Sequence, residues 1–337
     1  MVVQLKKVAP NIYQEKVYSG TTHMGWSNLY LVHAHPRSLL IDAGYNTAES
    51  KQTLLKMLEE LSVSTRDLDV FITHNHPDHA GMAQFLWEQG ARIYMKKEER
   101  NTCAILCTYW CQPLEQACKR LHTYGFTSTA GDRILARAFA DDYQYHRYNW
   151  TDFPVTDVKA GGILAYGSYQ FEVVPLHGHT RHQMGLAERK YQWLFAGDTL
   201  SRNEVLIIST MAPGEQLLER HLETLDQLRQ NYSRYWVVSG HCNPFLGTEK
   251  SVENTKRYFN HISNRIKKVV EDSPTPMTLA AIANQIFRYK EGRLVEDESL
   301  KLHFRISNTL ACLERLVDHN QLQMEISHGV WYWRGNL

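Results

Sequence analysis

Between Thr73 and His79 the chain sets three histidines and an aspartate into one short stretch, His74-Asn75-His76-Pro77-Asp78-His79, directly after the apolar run Val70 to Ile72. A strand cannot bury such a stretch unpaired, because each imidazole or carboxylate taken out of water needs a partner. A metal cation partners all four. The alternate residues His74 and His76 can converge on one ion, while Asp78 and His79, on the turn that follows, face a second. Pro77 stands where a first helical turn tolerates it. Imidazole and carboxylate donors suit zinc, iron or manganese, and the lack of cysteine among them favours an open catalytic site over a closed structural zinc.

Two coordination spheres need further donors, and the chain supplies them in the same way each time. Phe171 to Leu176 ends at His177-Gly178-His179, Trp193 to Ala196 at Gly197-Asp198-Thr199, and Tyr235 to Val238 at Ser239-Gly240-His241. Strands that repeatedly end in ligand-type residues predict a site along one rim of a sheet sandwich, with helices over the outer faces. An early hairpin pairs Leu29 to Val32 with Leu39 to Ile41. Helices are expected over Lys51 to Leu61, Ala80 to Glu88 and Ser251 to Val270 from their apolar spacing.

The chain has 337 residues, 43% hydrophobic and 22% charged, with a formal net charge of +1. That balance gives no global electrostatic case for a nucleic-acid or membrane partner. No run approaches the roughly 18 apolar residues of a membrane span, and Met1 to Val17 lacks a signal-type apolar core, so a cytoplasmic protein is expected. Cys103, Cys107, Cys111 and Cys118 suggest no secreted disulfide framework, and free cysteine usually packs as a small apolar residue.

At these motifs the chain resembles the metallo-β-lactamase superfamily over roughly residues 10 to 262. Its His-x-His-x-Asp-His motif stands at His74 to His79, and its other marks follow in order: Leu40-Ile41-Asp42-Ala43-Gly44, Gly178-His179-Thr180, Gly197-Asp198-Thr199 and Ser239-Gly240-His241. The resemblance implies an α/β fold, an αββα sandwich. His74, His76 and His179 would bind the first of two divalent ions, zinc first among the candidates, and Asp78, His79 and His241 the second, with Asp198 bridging. It also implies hydrolysis by a metal-bridged hydroxide that Asp78 orients or deprotonates, as the catalytic residue. Asp42, His177 and His182 stand where they would contact substrate or brace a ligand. Arg181-His182 replaces a common Pro-Gly, and Cys242 a frequent glycine.

Two regions lie outside the ligand set. Residues 98 to 160 read as a helical insertion rich in aromatics, among them Trp110, Tyr124, Phe126, Phe139 and Tyr143. These form either a cap over an acyl chain or, the favoured reading, the insertion's own core. The chain is divided into a catalytic domain, 1–262, and a small winged-helix-like domain, 263–337, with helices over Thr278 to Phe287 and Leu300 to Leu316 and strands over Gln323 to Ile326 and Val330 to Trp333. Such a tail is similar to those of the endoribonuclease and acyl-thioesterase branches of the superfamily.

Lys301 and Arg305 are offset by Asp297, Glu298 and Glu314, so the tail is read as a packing or dimerisation element before a nucleic-acid reader, leaving a homodimer open. The leading expectation is a hydrolase of a small ester, thioester or lactone, with a small molecule as its partner. An endoribonuclease acting on single-stranded RNA is the alternative. Flavodiiron oxidoreductases of the superfamily carry glutamate where His76 stands and are disfavoured, while a sulfur dioxygenase with one iron keeps the same histidines and is a minor alternative.

Overall fold

In the computed structural model the described residues are 5–18, 25–101, 119, 121–126, 153–208, 210, 214–287 and 299–336. Two sheets form the centre. The first has seven strands in sequence order: β1 (Lys6–Ala9), β2 (Ile12–Tyr18), β3 (Trp26–Val32), β4 (Ser38–Ile41), β5 (Leu68–Phe71), β6 (Arg92–Met95) and β7 (Thr156–Asp157). The second runs in the order β13 (Phe245–Leu246), β12 (Trp236–Ser239), β11 (Trp193–Gly197), β10 (Met184–Glu188), β9 (Tyr169–Pro175), β8 (Ile163–Tyr166). The expected hairpin is present, with Tyr30 opposite Ile41 and Val32 opposite Leu39.

Alternation along the strands sorts their side chains between layers. Tyr30, Val32, Leu39, Ile41 and Phe71 of the first sheet meet Phe171, Val173, Leu186, Phe195 and Val238 of the second in the central core. On the first sheet's outer face Leu31, Leu40, Val70 and Ile93 pack under Leu54, Met57 and Leu58 of α1 (Ala48–Glu60). On the second's, Leu194, Ala196 and Val237 pack under Leu225 and Leu228 of α4 (Leu217–Asn231) and Val252 of α5 (Glu249–Glu271). These layers are helix, sheet, sheet, helix. Thr47 caps α1 by accepting from the Ser50 amide at 3.1 Å.

One expected helix divides. Ala80 to Glu88 has an unbroken helical pattern, yet the structure has α2 (Pro77–Ala80) and α3 (Ala83–Glu88), with Gly81 and Met82 between. A Cβ on Gly81 would lie 2.5 Å from both Gly44 O and Pro77 O, so tight seating against the turn after β4 sets the break.

At the carboxyl end, α5 runs on through residues 262 and 263. After it come β14 (Met277–Thr278), α6 (Leu279–Phe287), α7 (Ser299–Asp318), β15 (Leu322–Ser327) and β16 (Val330–Gly335), with strand order β14-β16-β15. Phe259, Ile262 and Ile266 of α5, Ile282 of α6, Leu310 and Leu313 of α7 and Trp333 of β16 share one core with Ile208, Leu217 and Leu218.

Most of the expected insertion, with Cys103, Cys107, Cys111, Cys118, Trp110, Phe139 and Tyr143, lies outside the described residues. Of its described aromatics, Tyr124 and Phe126 join the carboxyl-end core and Phe153 the core on the first sheet's outer face, and the Ala280 amide donates to Tyr124 O at 2.9 Å. Among the described residues no helix is long and apolar enough to cross a membrane.

Candidate metal centre

Each expected ligand follows the carboxyl end of a strand, all on the same rim. His74 to His79 follow β5, His179 follows β9, Asp198 follows β11 and His241 follows β12. The structure brings all seven together in two overlapping donor groups. One is His74, His76, His179 and Asp198, the other Asp78, His79, Asp198 and His241, and in each the donor atoms lie within 4.8 Å of one another. Asp198 belongs to both.

The rings are aimed by what their second nitrogens do. His179 Nδ1 lies 2.6 Å from Ile207 O and His241 Nδ1 2.8 Å from Trp26 O. A carbonyl only accepts, so both nitrogens carry the proton and donate; the Nε2 of His179 keeps a lone pair for a cation, and that of His241 faces the carboxylates. His79 Nδ1 lies 2.7 Å from Asp42 Oδ2, a carboxylate that also accepts from the Thr73 amide at 2.8 Å. His74 Nδ1 lies 2.9 Å from Thr73 Oγ1. His76 alone turns Nδ1 inward, 2.9 Å from His179 Nε2, which is itself 3.2 Å from His74 Nε2.

The two groups differ electrostatically. Burial, followed by the neighbouring imidazoles, holds His74 well below the usual histidine range. The same two causes bring His179 down to about 3. The His74 and His179 rings of the first group are therefore neutral. In the second, burial opposes charge on every member, yet the carboxylates of Asp78 and Asp198 raise His79 and His241 well above the histidine range. Both carboxyls are held far below their ordinary value by those imidazolium partners. His241 Nε2 stands 2.9 Å from Asp78 Oδ2 and 3.0 Å from Asp198 Oδ2.

A divalent cation fits both groups. In the first it meets ring nitrogens of His74, His76 and His179 that converge on one another, and in the second it replaces protons shared between rings and carboxylates. His79 Nε2 and Asp198 Oδ1, 3.4 Å apart, are buried without hydrogen-bond geometry to any partner, as ligand atoms would be. Gly240 leaves the room required: a Cβ there would lie 2.4 Å from both Asp198 Oδ1 and His79 Cε1.

Of the residues expected beside the ligands, Asp42 braces His79 from the turn after β4, at a positive φ of 62°. His177 and His182 are half-buried, with ring centroids 6.2 Å apart, and burial lowers the pKa of each. Neither belongs to a donor group.

Glu99 was not legible in the sequence. Fully buried, it accepts from the Asn75 amide at 3.3 Å and the His182 amide at 3.0 Å, so one carboxyl clamps the loops that carry His74, His76 and His179. Burial raises its pKa to about 7. A lone glutamate at the start of a helical stretch gives no pattern to read.

A family model of the metallo-beta-lactamase superfamily matches residues 26–97, which contain the first four ligands. A hydroxyacylglutathione hydrolase of Bdellovibrio bacteriovorus is 27% identical over 164 residues, 42% of this chain and 64% of that protein, so the chain matches just under two thirds of that relative. A probable metallo-hydrolase, YqjP, of Bacillus subtilis is 23% identical over 74% of this chain and 76% of its own length. The crystal structure of a beta-lactamase domain protein from Burkholderia ambifaria aligns with a TM-score of 0.83 over 98% of this chain and 94% of that one, at 19% identity. The family model and the shared fold support membership of this superfamily, and the hydrolase relatives support a metal-dependent hydrolase.

Proposed function

From the superfamily fold and the paired donor groups as premise, we propose that the protein is a binuclear metallo-hydrolase of a small ester, thioester or lactone. The observation that carries this reading is the sharing of Asp198 between two donor groups whose remaining members converge on separate points. His74, His76 and His179 would hold the first ion and Asp78, His79 and His241 the second, with Asp198 a member of both donor groups. Nitrogen and oxygen donors without thiolate fit zinc, with iron or manganese as alternatives. When bound, such ions would supply a water nucleophile at neutral pH and polarise the carbonyl under attack.

The chain's own residues do the rest. Asp78, buried and in contact with His79 and His241, keeps its carboxylate ionised and is the acceptor placed to take a proton at the second group. Asp42, Ile207 and Trp26 fix which nitrogen of His79, His179 and His241 carries a proton. A hydrolase named for hydroxyacylglutathione, a thioester, among the relatives favours acyl transfer to water over phosphodiester cleavage. The unit formed by α6, α7 and the β14-β16-β15 sheet has the element order of a winged helix, and we read it as a packing element.

The test is side-by-side turnover of thioester, lactone and single-stranded RNA by protein of measured metal content. We expect close to two transition-metal ions per chain and hydrolysis of the thioester or lactone. RNA cleavage without acyl hydrolysis refutes the substrate class, and a reconstituted chain without metal refutes the site. Asp78→Ala should keep its circular dichroism yet lose at least ~100-fold in kcat, the scale of a general-base or ligand loss.

A further inference from the structure

His179 depends on a single peptide group. The carbonyl of Ile207 accepts its Nδ1 proton at 2.6 Å, and the amide belonging to that same peptide unit, Ile208 N–H, donates to Asn308 Oδ1 at 2.8 Å. A trans peptide is planar and rigid, with its N–H and C=O directed oppositely. Whatever holds the amide end therefore aims the carbonyl end at the imidazole.

Asn308 lies on α7, 3% exposed, inside the core that joins α7 to α5 and to Ile208. Tyr258 of α5 engages the same side chain through its hydroxyl, which holds the amide's orientation. Six residues on, Glu314 Oε1 accepts from the Gln216 amide at 2.8 Å and so fastens the start of α4, where Gln216 has a positive φ of 55°. Helix α7 thus grips the segment beneath His179 at two points.

We propose that Asn308 is a positioning residue for the metal centre, through which the carboxyl-end helix sets the proton and aim of His179 and thereby the affinity of the first ion. The relay needs no movement of α7 and no contact between Asn308 and substrate. Its effect is confined to one of the two donor groups, because His79 and His241 take their Nδ1 partners from Asp42 and Trp26, far from α7 in the chain. Partners that orient a ligating histidine typically change metal affinity 10- to 100-fold when removed. A neutral hydrogen-bond chain also polarises along its length, so the Asn308 end strengthens the His179 end.

The inference rests on the two-ion reading of the site, and its test keeps the two apart. Full-length protein labelled with 15N-histidine is compared without metal as wild type, Asn308→Leu, Asn308→Asp and Leu316→Ala. The last variant loosens the same helix core without touching the relay. The readouts are the exchange-protected Nδ1–H resonance of His179 and, separately, stepwise zinc competition against a chelator.

Asn308→Leu should broaden that resonance and weaken the first zinc step at least ~10-fold while leaving the second step in place. Asn308→Asp, which keeps an acceptor, should preserve both. If Asn308→Leu fails to fold, Asn308→Ala serves in its place. Retention of the resonance and of both zinc steps in the non-accepting variant overturns the proposal, as does equal weakening by Leu316→Ala at a matched loss of melting temperature. A wild type that takes up no zinc refutes the metal reading, while the ring resonance still decides the relay.

Discussion

Glu99→Gln should flatten the pH dependence of folding stability. The carboxyl is fully buried, and its pKa rises from an ordinary 4.5 to about 7 because burial disfavours the charged form more than the Thr180 side chain and the backbone amides of His182 and Asn75 favour it. A raised folded-state pKa means stability is fully present below pH 4.5 and is lost as pH rises through about 7. A shift of some 2.5 units corresponds to about 3 kcal/mol, of which roughly 2.5 kcal/mol falls between pH 5 and pH 8. Glutamine carries no such titration. Urea unfolding of metal-free wild type and Glu99→Gln at pH 5, 6, 7 and 8 should show the stability difference moving by that amount in favour of glutamine. The histidines of the site titrate in both proteins and cancel in the comparison. A constant difference across the series would refute the reasoning, since it would mean that the buried carboxyl does not change its charge in this window.

Asp42→Asn should cost 10- to 100-fold in affinity for the second ion, measured by chelator competition, because it weakens the acceptor that orients His79. Gly240→Ala should deplete the same ion more severely, read by elemental analysis, since the added methyl lies 2.4 Å from Asp198 Oδ1 and from His79. Removal of residues 274–337 should yield insoluble protein, followed by fractionation, because it uncovers Ile208, Phe259, Ile262 and Ile266 together. Were the tail instead a reader of RNA, the truncated chain would stay soluble and lose a steep salt-dependent affinity for RNA.

The clustering of the candidate ligands was legible because chemistry crowded them. His74, His76, Asp78 and His79 occupy one turn that no apolar core can satisfy, and the other three close strands whose apolar runs are plain. The strands and the long helices α1 and α5 were legible from period, with ends moved by one to three residues. What escaped depends on contacts across the fold. The break at Gly81 comes from the turn after β4 pressing on it, which a helical pattern does not record. Glu99 and Asn308 are single polar residues in otherwise ordinary stretches, and their importance lies only in which backbone amides they meet. The placing of Tyr124 and Phe126 under the tail was equally silent, since an aromatic shows that it will be buried but not against what.

The joint core of α5, α6, α7 and β16 with Ile208 and Leu217 also orders events during synthesis. His74 to His79 leave the ribosome before the other candidate ligands, and the sheets that carry all seven are complete once Leu246 has emerged. The peptide that supports His179 still has nothing to hold its amide until Asn308 follows. Domains fold as units as the chain appears, yet here a nascent chain, or one clipped before α7, holds every ligand and lacks the brace for one of them. On the proposed reading, a metal meets a finished site only after Asn308 has been made.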